Sequence, residues 1–187
     1  MVEVSTTILA GRDGPLTVAA TARGLVAAEW QCTESELRAT LRRRLGAIEP
    51  ASTGGAAARR MADTLPALLA LIDGAGQETA MAMRLDLDDR PAFDQRVLTE
   101  VRTVGWGETA SYGEIARRVG VPRAARAVGG ALGRNPIALV IPCHRIIASD
   151  GTLGGYGGDG RSDRVEALER KRELLAREGV IARLRVR

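Results

Sequence analysis

The sequence is poor in aromatic residues, cysteine and histidine. Aromatic side chains make up 3% of the 187 residues, so the core must consist mainly of Leu, Val, Ile and Ala. Two cysteines, Cys32 and Cys143, cannot form a disulfide framework, which favours a reducing, cytoplasmic setting. Together with the single histidine, His144, they are too few for a typical structural zinc site. We therefore expect neither a metal nor another cofactor.

Long apolar runs are absent as well. No segment approaches the roughly 18 consecutive apolar residues of a membrane helix, and the first eleven residues lack the basic and apolar regions of a signal peptide. Hydrophobic residues make up 45% of the chain and charged residues 27%, which is typical of folded globular proteins. We expect one to two domains, no membrane partner and a monomer in solution.

Positive charge is concentrated in the second half of the chain. Residues 1–91 carry 10 basic and 12 acidic side chains, whereas residues 92–187 carry 17 basic and 11 acidic. All basic residues except Lys171 are arginines, whose planar guanidinium group suits contacts with phosphates and base edges. The asymmetry predicts that the second half contacts a polyanion such as nucleic acid. The alternative is a solvated, arginine-rich surface without such a partner.

The first half of the chain, residues 1–89, is predicted to be a small α/β domain with a supporting role. Two apolar runs separated by Arg23-Gly24 favour a β-hairpin. Thr33 and Glu36 have the spacing of a capping box at the start of an amphipathic helix, and Pro66 is expected to bend or split a second helix. Alternating apolar residues predict a further strand. The predicted strands span 16–20, 25–30 and 81–87, and the predicted helices span 33–45 and 56–72.

Residues 90–187 are predicted to form a mainly helical domain with a helix-turn-helix and an active-site loop. Ser111 and Glu114 again have capping-box spacing, and Gly120-Val121-Pro122 is a tight turn before an arginine-bearing helix. The helix-turn-helix layout places its second helix in a DNA groove. The predicted helices span 93–104, 111–119, 123–132 and 168–177, and 137–141 is predicted to be a buried strand or extended segment. The fold class is therefore α/β, with the helices dominating the second domain.

Pro142-Cys143-His144-Arg145 is the segment most suggestive of chemistry. A cysteine reacts as its thiolate, and its ordinary pKa of about 8.5 means that a nearby group must take the proton. His144 is the next residue, but adjacent side chains of an extended chain point away from each other. A bridging water or a kink in the chain would be needed to link them. The pair nevertheless suggests nucleophilic catalysis.

The second half also contains a set of motifs that are together highly specific. They are Ser111-Tyr112, Ala124-Ala125-Arg126-Ala127-Val128-Gly129, Asn135-Pro136, Ile141-Pro142-Cys143-His144-Arg145, Gly154-Gly155-Tyr156 and Glu178-Gly179. Over roughly residues 93–180 the chain resembles the O6-alkylguanine-DNA alkyltransferases, also called methylated-DNA–protein-cysteine methyltransferases. The resemblance implies a single-turnover DNA repair enzyme whose partner is double-stranded DNA containing O6-alkylguanine.

The resemblance also implies roles for the residues around the cysteine. Cys143 would attack the alkyl carbon on O6 of guanine and keep the alkyl group as a thioether, which water does not cleave. His144, held by Glu178, would relay the thiol proton through a water, as in the base-and-orienter arrangement of a nucleophilic triad. Tyr112 would donate a hydrogen bond to the guanine and assist its departure.

DNA binding falls, by the same resemblance, on the second helix of the helix-turn-helix. A base within a duplex must be flipped out before a buried thiol can reach it. Arg126 would insert into the base stack and fill the gap. Ala125, Ala127 and Gly129 would allow close approach to the minor groove, and Arg123 would lie on the same DNA-binding helix.

The remaining implied residues belong to the substrate pocket. Tyr156 and Gly157 of the glycine-rich loop would lie at the flipped base, and Asn135 would brace the DNA-binding helix against the active-site segment. The chain departs from the family in two places. It has an extra polar stretch at about 159–167, and Glu173 replaces a family tryptophan of the last helix.

Two other functions are compatible with parts of the sequence. One is a DNA-binding module without chemistry, such as a non-catalytic alkyltransferase-like sensor, but those relatives lack the cysteine that Cys143 provides. The other is a cysteine hydrolase that uses Cys143 and His144, which would need an oxyanion hole and a turnover cycle. Cys32 is expected to be a small buried hydrophobic residue.

Overall fold

The computed structural model describes residues 1–11, 14–74, 77–156 and 164–180. The chain divides into two compact units. The first comprises Met1–Arg90 with Pro136–Val140, and the second comprises Pro91–Asn135 with Ile141–Arg187. None of the helices that the structure describes is both long enough and apolar enough to cross a membrane.

The first unit contains a four-stranded sheet. Its strands are β1 (Val2–Gly11), β2 (Gly14–Ala20), β3 (Leu25–Trp30) and β4 (Ile48–Pro50). Their order is β3-β2-β1-β4, with β2 antiparallel to β1 and β3, and β4 parallel to β1. The predicted hairpin, formed by β2 and β3, is confirmed. Strand β1 was not predicted, although it is one of the two inner strands of the sheet.

Three helices complete the first unit. They are α1 (Glu34–Leu45), α2 (Ala56–Ile72) and α3 (Gln77–Ala82). The capping box that opens α1 is present, with Thr33 as the N-cap. Leu37 and Leu41 of α1 pack into a core cluster that includes Cys32, which is 5% exposed, so the expectation of a buried Cys32 is confirmed. The helix predicted over 56–72 is also confirmed, and it is not split at Pro66.

The strand predicted over 81–87 is wrong. Met81 belongs to α3, and within this segment only Leu85 forms a bridge, to Leu25 of β3. The amide of Leu25 donates to the Arg84 carbonyl (2.9 Å), and the amide of Asp86 donates to the Leu25 carbonyl (2.8 Å). The segment therefore pairs with the edge strand β3 at one residue only, and its alternating pattern does not correspond to a continuous β-ladder.

The second unit is mainly helical and contains one small parallel strand pair. Its elements are α4 (Ala92–Val101), β5 (Ala110–Ser111), α5 (Tyr112–Arg118), α6 (Ala125–Gly133), β6 (Ile146–Ile147) and α7 (Arg164–Arg177). Helices α4, α5 and α6 pack together, and α5 and α6 form the predicted helix-turn-helix. Ser111 is the N-cap of α5 and forms the predicted capping box with Glu114.

Several predicted bounds in this half are wrong, and the helix predicted over 93–104 already ends at Val101. Helix α6 begins at Ala125 rather than Arg123, because residues 122–124 still belong to the turn. Of the predicted extended segment 137–141, only Ile137 forms a bridge, to Ala28, and the residues after it turn, with a hydrogen bond from the Val140 amide to the Ile137 carbonyl (3.0 Å). Helix α7 begins at Arg164, so residues 164–167 of the predicted loop are helical. The rest of that stretch, and Gly157, lie outside the described residues.

The pairing of β5 with β6 positions the site residues. Ala110 pairs with Ile146, and Ser111 pairs with Ile147. Strand β6 directly follows the 3₁₀ turn Cys143–Arg145, and β5 directly precedes Tyr112. The two ladder contacts therefore bring the start of α5 beside the segment that contains the cysteine.

We expect Ser111→Ala to lower the free energy of unfolding by about 1 kcal/mol, because the N-cap hydroxyl accepts a hydrogen bond from the amide of Glu114 (3.1 Å). Chemical denaturation of purified protein measures the difference. Ser149→Ala, at an exposed position outside any helix, is the control. Equal stabilities of the two variants would contradict the capping role.

Candidate active site

Cys143 lies at a pocket in the second unit. The pocket has a volume of about 480 Å³. Its lining is largely small or apolar and consists of Tyr112, Ala125, Arg126, Gly129, Leu132, Gly133, Cys143, Gly155 and Tyr156. Cys143 is the first residue of the 3₁₀ turn, which follows the kink at Pro142. The turn removes the chain from the extended conformation in which adjacent side chains would point apart.

The environment of the Cys143 thiol contains opposing influences. Burial raises the pKa of Cys143, because a low-dielectric surrounding disfavours the thiolate. A hydrogen bond from Asn135, the charge of Lys171 and the backbone amides of Cys143 and His144 act in the other direction. The net pKa remains above the ordinary value, so the thiol needs a proton acceptor to react at neutral pH.

His144 and Glu178 form a buried pair next to the cysteine. Nε2 of His144 lies 2.8 Å from Oε1 of Glu178. Burial lowers the pKa of His144 below its ordinary value, even though the Glu178 carboxylate acts in the opposite direction. The imidazole is therefore neutral at pH 7. With Nε2–H donating to the carboxylate, Nδ1 keeps its lone pair and can accept a proton.

Arg145 forms an ion pair with the Glu178 carboxylate. Its Nε donates to both carboxylate oxygens (3.1 and 2.9 Å), and its Nη2 donates to Oε1 (3.0 Å). Burial alone would raise the pKa of Glu178, but the hydrogen bonds and charges of His144 and Arg145 lower it to about 2. Glu178 is thus ionised at any physiological pH. The role of Arg145, the last residue of the Pro142-Cys143-His144-Arg145 motif, was not predicted from the sequence.

Tyr112, the first residue of α5, reaches across the pocket. Its hydroxyl lies 3.3 Å from the carbonyl oxygen and 3.4 Å from the amide nitrogen of Gly155. Burial raises the pKa of Tyr112, so the phenol stays protonated and can donate. Gly154 has a φ of +71°, and a Cβ there would lie 2.8 Å from the ring of Tyr112. Glycine at this position is therefore required for the observed place of the ring.

Lys171 was missed as a site residue, although it is the only lysine in an arginine-rich chain. It is fully buried, and its ammonium group donates to the carbonyls of Ile146 (2.5 Å), Leu153 (2.7 Å) and Gly155 (3.1 Å). Burial lowers the pKa of Lys171 to about 8. The ammonium lies 5.8 Å from the ring centroid of Tyr112. It therefore fixes the pocket loop and adds positive charge near the thiol.

The remaining predicted residues lie at the pocket or near it. Nδ2 of Asn135 donates to the carbonyl of Ile141 (2.9 Å), which ties the end of α6 to the active-site segment. Tyr156 lines the pocket, and burial raises its pKa. Among the described residues, no group of three or more His, Cys, Asp or Glu side chains is arranged to hold a metal ion.

The predicted DNA-binding residues lie on α6 and the turn before it. Ala125, Arg126 and Gly129 line the pocket. Ala127 and Arg123 are exposed outside the lining. Within the part of the chain that the structure describes, the exposed Arg126 guanidinium has no hydrogen-bond or ion-pair partner. An unpaired arginine at the mouth of a pocket is suited to contact an anionic ligand.

Comparison with known proteins gives one consistent family. Residues 92–180 match the family described as 6-O-methylguanine DNA methyltransferase, DNA binding domain. The methylated-DNA–protein-cysteine methyltransferase of Mycolicibacterium paratuberculosis is 50% identical over 104 residues, which cover 56% of this chain and 58% of the relative. The alignment thus spans little more than half the length of this curated relative.

Solved structures are similar over nearly the whole chain. A Mycobacterium tuberculosis O6-methylguanine methyltransferase is 36% identical with a TM-score of 0.65, and the match covers 95% of this chain and 93% of that one. An OGT of the same species, solved in complex with DNA, is 36% identical with a TM-score of 0.63, covering 94% and 92%. Both structures therefore extend the similarity beyond the helix-turn-helix region.

We expect the stabilising effect of Glu178 to disappear in acid. Because the folded protein lowers the pKa of Glu178 to about 2, its contribution of roughly 3 kcal/mol is present above the ordinary carboxyl pKa and is lost as the pH falls towards 2. The measurement is the unfolding free energy of wild type and Glu178→Gln against pH. Glu173→Gln, on the exposed side of α7, is the control. A difference that stays constant down to pH 2 would contradict the paired carboxylate.

Proposed function

Because the chain belongs to the 6-O-methylguanine DNA methyltransferase family, we propose that it is a DNA repair protein that transfers an alkyl group from O6 of guanine to Cys143. The observation that carries the proposal is the position of Cys143. The thiol lies in a pocket that is also lined by Arg126, whose guanidinium has no partner among the described residues, next to a buried His144–Glu178 pair.

The reaction begins with the removal of the thiol proton. No direct hydrogen bond joins the Cys143 sulfur to the His144 ring among the described residues, so we propose that a water carries the proton to Nδ1 of His144. Glu178 holds the ring by Nε2 and stabilises the imidazolium that forms. The charge of Lys171 and the amides of Cys143 and His144 stabilise the thiolate.

The thiolate then attacks the alkyl carbon. A carbon–sulfur bond forms, the bond between that carbon and O6 breaks, and its electron pair remains on guanine. The guanine anion takes up one proton from water, and the imidazolium of His144 releases the former thiol proton to water, so that no net proton is gained or lost. Tyr112, whose raised pKa keeps it protonated, donates a hydrogen bond to the departing base. The thioether is stable to water, and each molecule acts once.

The substrate must leave the duplex to reach the thiol. We propose that α6 enters the minor groove with its small residues Ala125, Ala127 and Gly129 and that Arg126 fills the place of the flipped base. Arg123, at the exposed turn before α6, contacts the DNA backbone. Tyr156 packs against the flipped base in the pocket.

The predicted setting of this activity follows from its substrate. We propose that the protein acts on double-stranded DNA in the cytoplasm as a monomer, without a metal or cofactor. The first unit, which is predicted to have a supporting role, carries no residue of the proposed reaction.

We expect duplex DNA with a labelled O6-methylguanine to leave one methyl group per protein molecule on Cys143. The thioether is stable to water, so the free thiol is not regenerated. Mass spectrometry of the intact protein and of its peptides measures stoichiometry and position. Cys143→Ala should bind the duplex without accepting the label, and Cys32→Ala should still accept one methyl group. Repeated turnover would favour a cysteine hydrolase, and binding without transfer by wild type would favour a DNA-binding module.

We expect Arg126→Ala to slow transfer from duplex DNA by roughly ten- to a hundredfold, because unstacking a base costs a few kcal/mol that the arginine helps to offset. Transfer from a single-stranded oligonucleotide should change far less. Single-turnover kinetics with both substrates measure the ratio of the rates. Arg123→Ala removes an equal charge and should lower affinity without changing that ratio. An unchanged ratio in Arg126→Ala would overturn its role in flipping.

A further inference from the structure

The turn between α4 and β5, residues 104–108, has no role in the reaction described above. It is a tight turn that Glu108 closes twice. The amide of Glu108 donates to the carbonyl of Gly105 (3.1 Å), and the amide of Gly105 donates to the Glu108 carboxylate (3.0 Å). Gly107 has a φ of +74°. These features give the turn a defined shape of its own.

The turn makes several contacts with the buried Arg145–Glu178 pair. The carbonyl of Val104 accepts a hydrogen bond from Nη1 of Arg145 (2.7 Å), and the amide of Gly107 donates to Oε2 of Glu178 (3.2 Å). A Cβ on Gly107 would lie 3.2 Å from the backbone carbonyl oxygen of Glu178. The turn thus binds both partners of the ion pair. Val104 and Arg145 lie 41 residues apart in the chain, and Gly107 and Glu178 lie 71 residues apart.

Trp106, in the middle of the turn, covers the guanidinium of Arg145. The distance from Arg145 Cζ to the centroid of the indole is 5.7 Å. Arg145 is 7% exposed, whereas Trp106 is 52% exposed. The fold therefore leaves a large apolar ring at the surface while the cation next to it is buried. Attraction between a cation and an aromatic face accounts for this placement.

The Arg145–Glu178 pair controls where the proton acceptor points. Oε1 of Glu178 is shared between Nε2 of His144 (2.8 Å) and Nε and Nη2 of Arg145 (3.1 and 3.0 Å). A shift of Arg145 would therefore move the oxygen that orients the imidazole. The charged groups that act on His144 are Glu178, Arg145 and Lys171, and Lys171 is anchored independently by three carbonyls.

We propose that Trp106 is a positioning residue for alkyl transfer to Cys143: its indole keeps water from Arg145 and thereby holds Glu178 in the orientation that directs His144. The inference rests on the proposed function. Trp106 is not among the residues that line the pocket. It acts through three successive contacts, from Trp106 to Arg145, from Arg145 to Glu178, and from Glu178 to His144.

The test compares Trp106→Ala and Trp106→Phe with wild type. We expect Trp106→Ala to lower the single-turnover rate of methyl transfer by roughly two- to fivefold, the effect of one exposed cation–aromatic contact. The acid side of its pH–rate profile should also move to higher pH. Water admitted at the Arg145–Glu178 pair would stabilise the charged imidazolium and so raise the pKa of His144. Trp106→Phe keeps a ring over the guanidinium and should match wild type. Leu69→Ala, which truncates another exposed apolar residue in the first unit, is the control and should leave rate and pH profile unchanged.

Three outcomes would overturn the proposal. They are a Trp106→Ala variant as fast as wild type at every pH, a slow Trp106→Ala variant whose pH–rate profile has not moved on its acid side, and a Trp106→Phe variant as slow as Trp106→Ala.

The same variants are also treated with iodoacetamide, and alkylation of Cys143 is followed by mass spectrometry. The same order of rates with this reagent, without any transfer from DNA, would support the positioning role and refute the proposed function. Transfer from DNA that is equal in all variants would refute only the positioning role.

Discussion

The Cys143 thiol has a pKa above its ordinary value and must pass its proton to a neighbouring group before it can react, and this constraint explains the arrangement around it. Burial raises the pKa of the thiol, and the same burial keeps His144 neutral and ready to accept a proton. The imidazole has a fixed direction only because Glu178 remains ionised, and Glu178 remains ionised because Arg145 donates to both of its oxygens. The protonation state of each group therefore depends on the group beside it.

The elements of the second unit can be understood as the means of assembling these groups. The β5–β6 pair places the start of α5, and therefore Tyr112, beside the cysteine turn. Helix α7 contributes Lys171 to the pocket loop and ends immediately before Glu178. The turn at 104–108 closes over the ion pair from the other side. The chain from residue 104 to the start of α5, the cysteine turn and α7, which lie apart in sequence, thus converge on a site whose chemistry involves only a few side chains.

Short-range patterns in the sequence were sufficient to predict many of the helices and the hairpin. The capping boxes at Thr33 and Ser111 are side-chain hydrogen bonds between near neighbours, so their spacing predicts them directly. The strand predicted over 81–87 failed because alternation cannot distinguish a ladder from one bridge at Leu85. The roles of Arg145, Lys171 and Trp106 depend on partners up to 41 residues away, and no local pattern reports such contacts. The assigned roles of the site residues remain predictions.

The state of His144 is the most direct test of the account. It is the only histidine of the chain, so the nitrogen and carbon resonances of its ring can be followed by NMR against pH without ambiguity. The account predicts a neutral ring at pH 7, with the proton on Nε2, and a midpoint of titration below the ordinary value of about 6.5. A ring that is protonated at pH 7, or a neutral ring with the proton on Nδ1, would contradict it, because neither form could take the proton of Cys143.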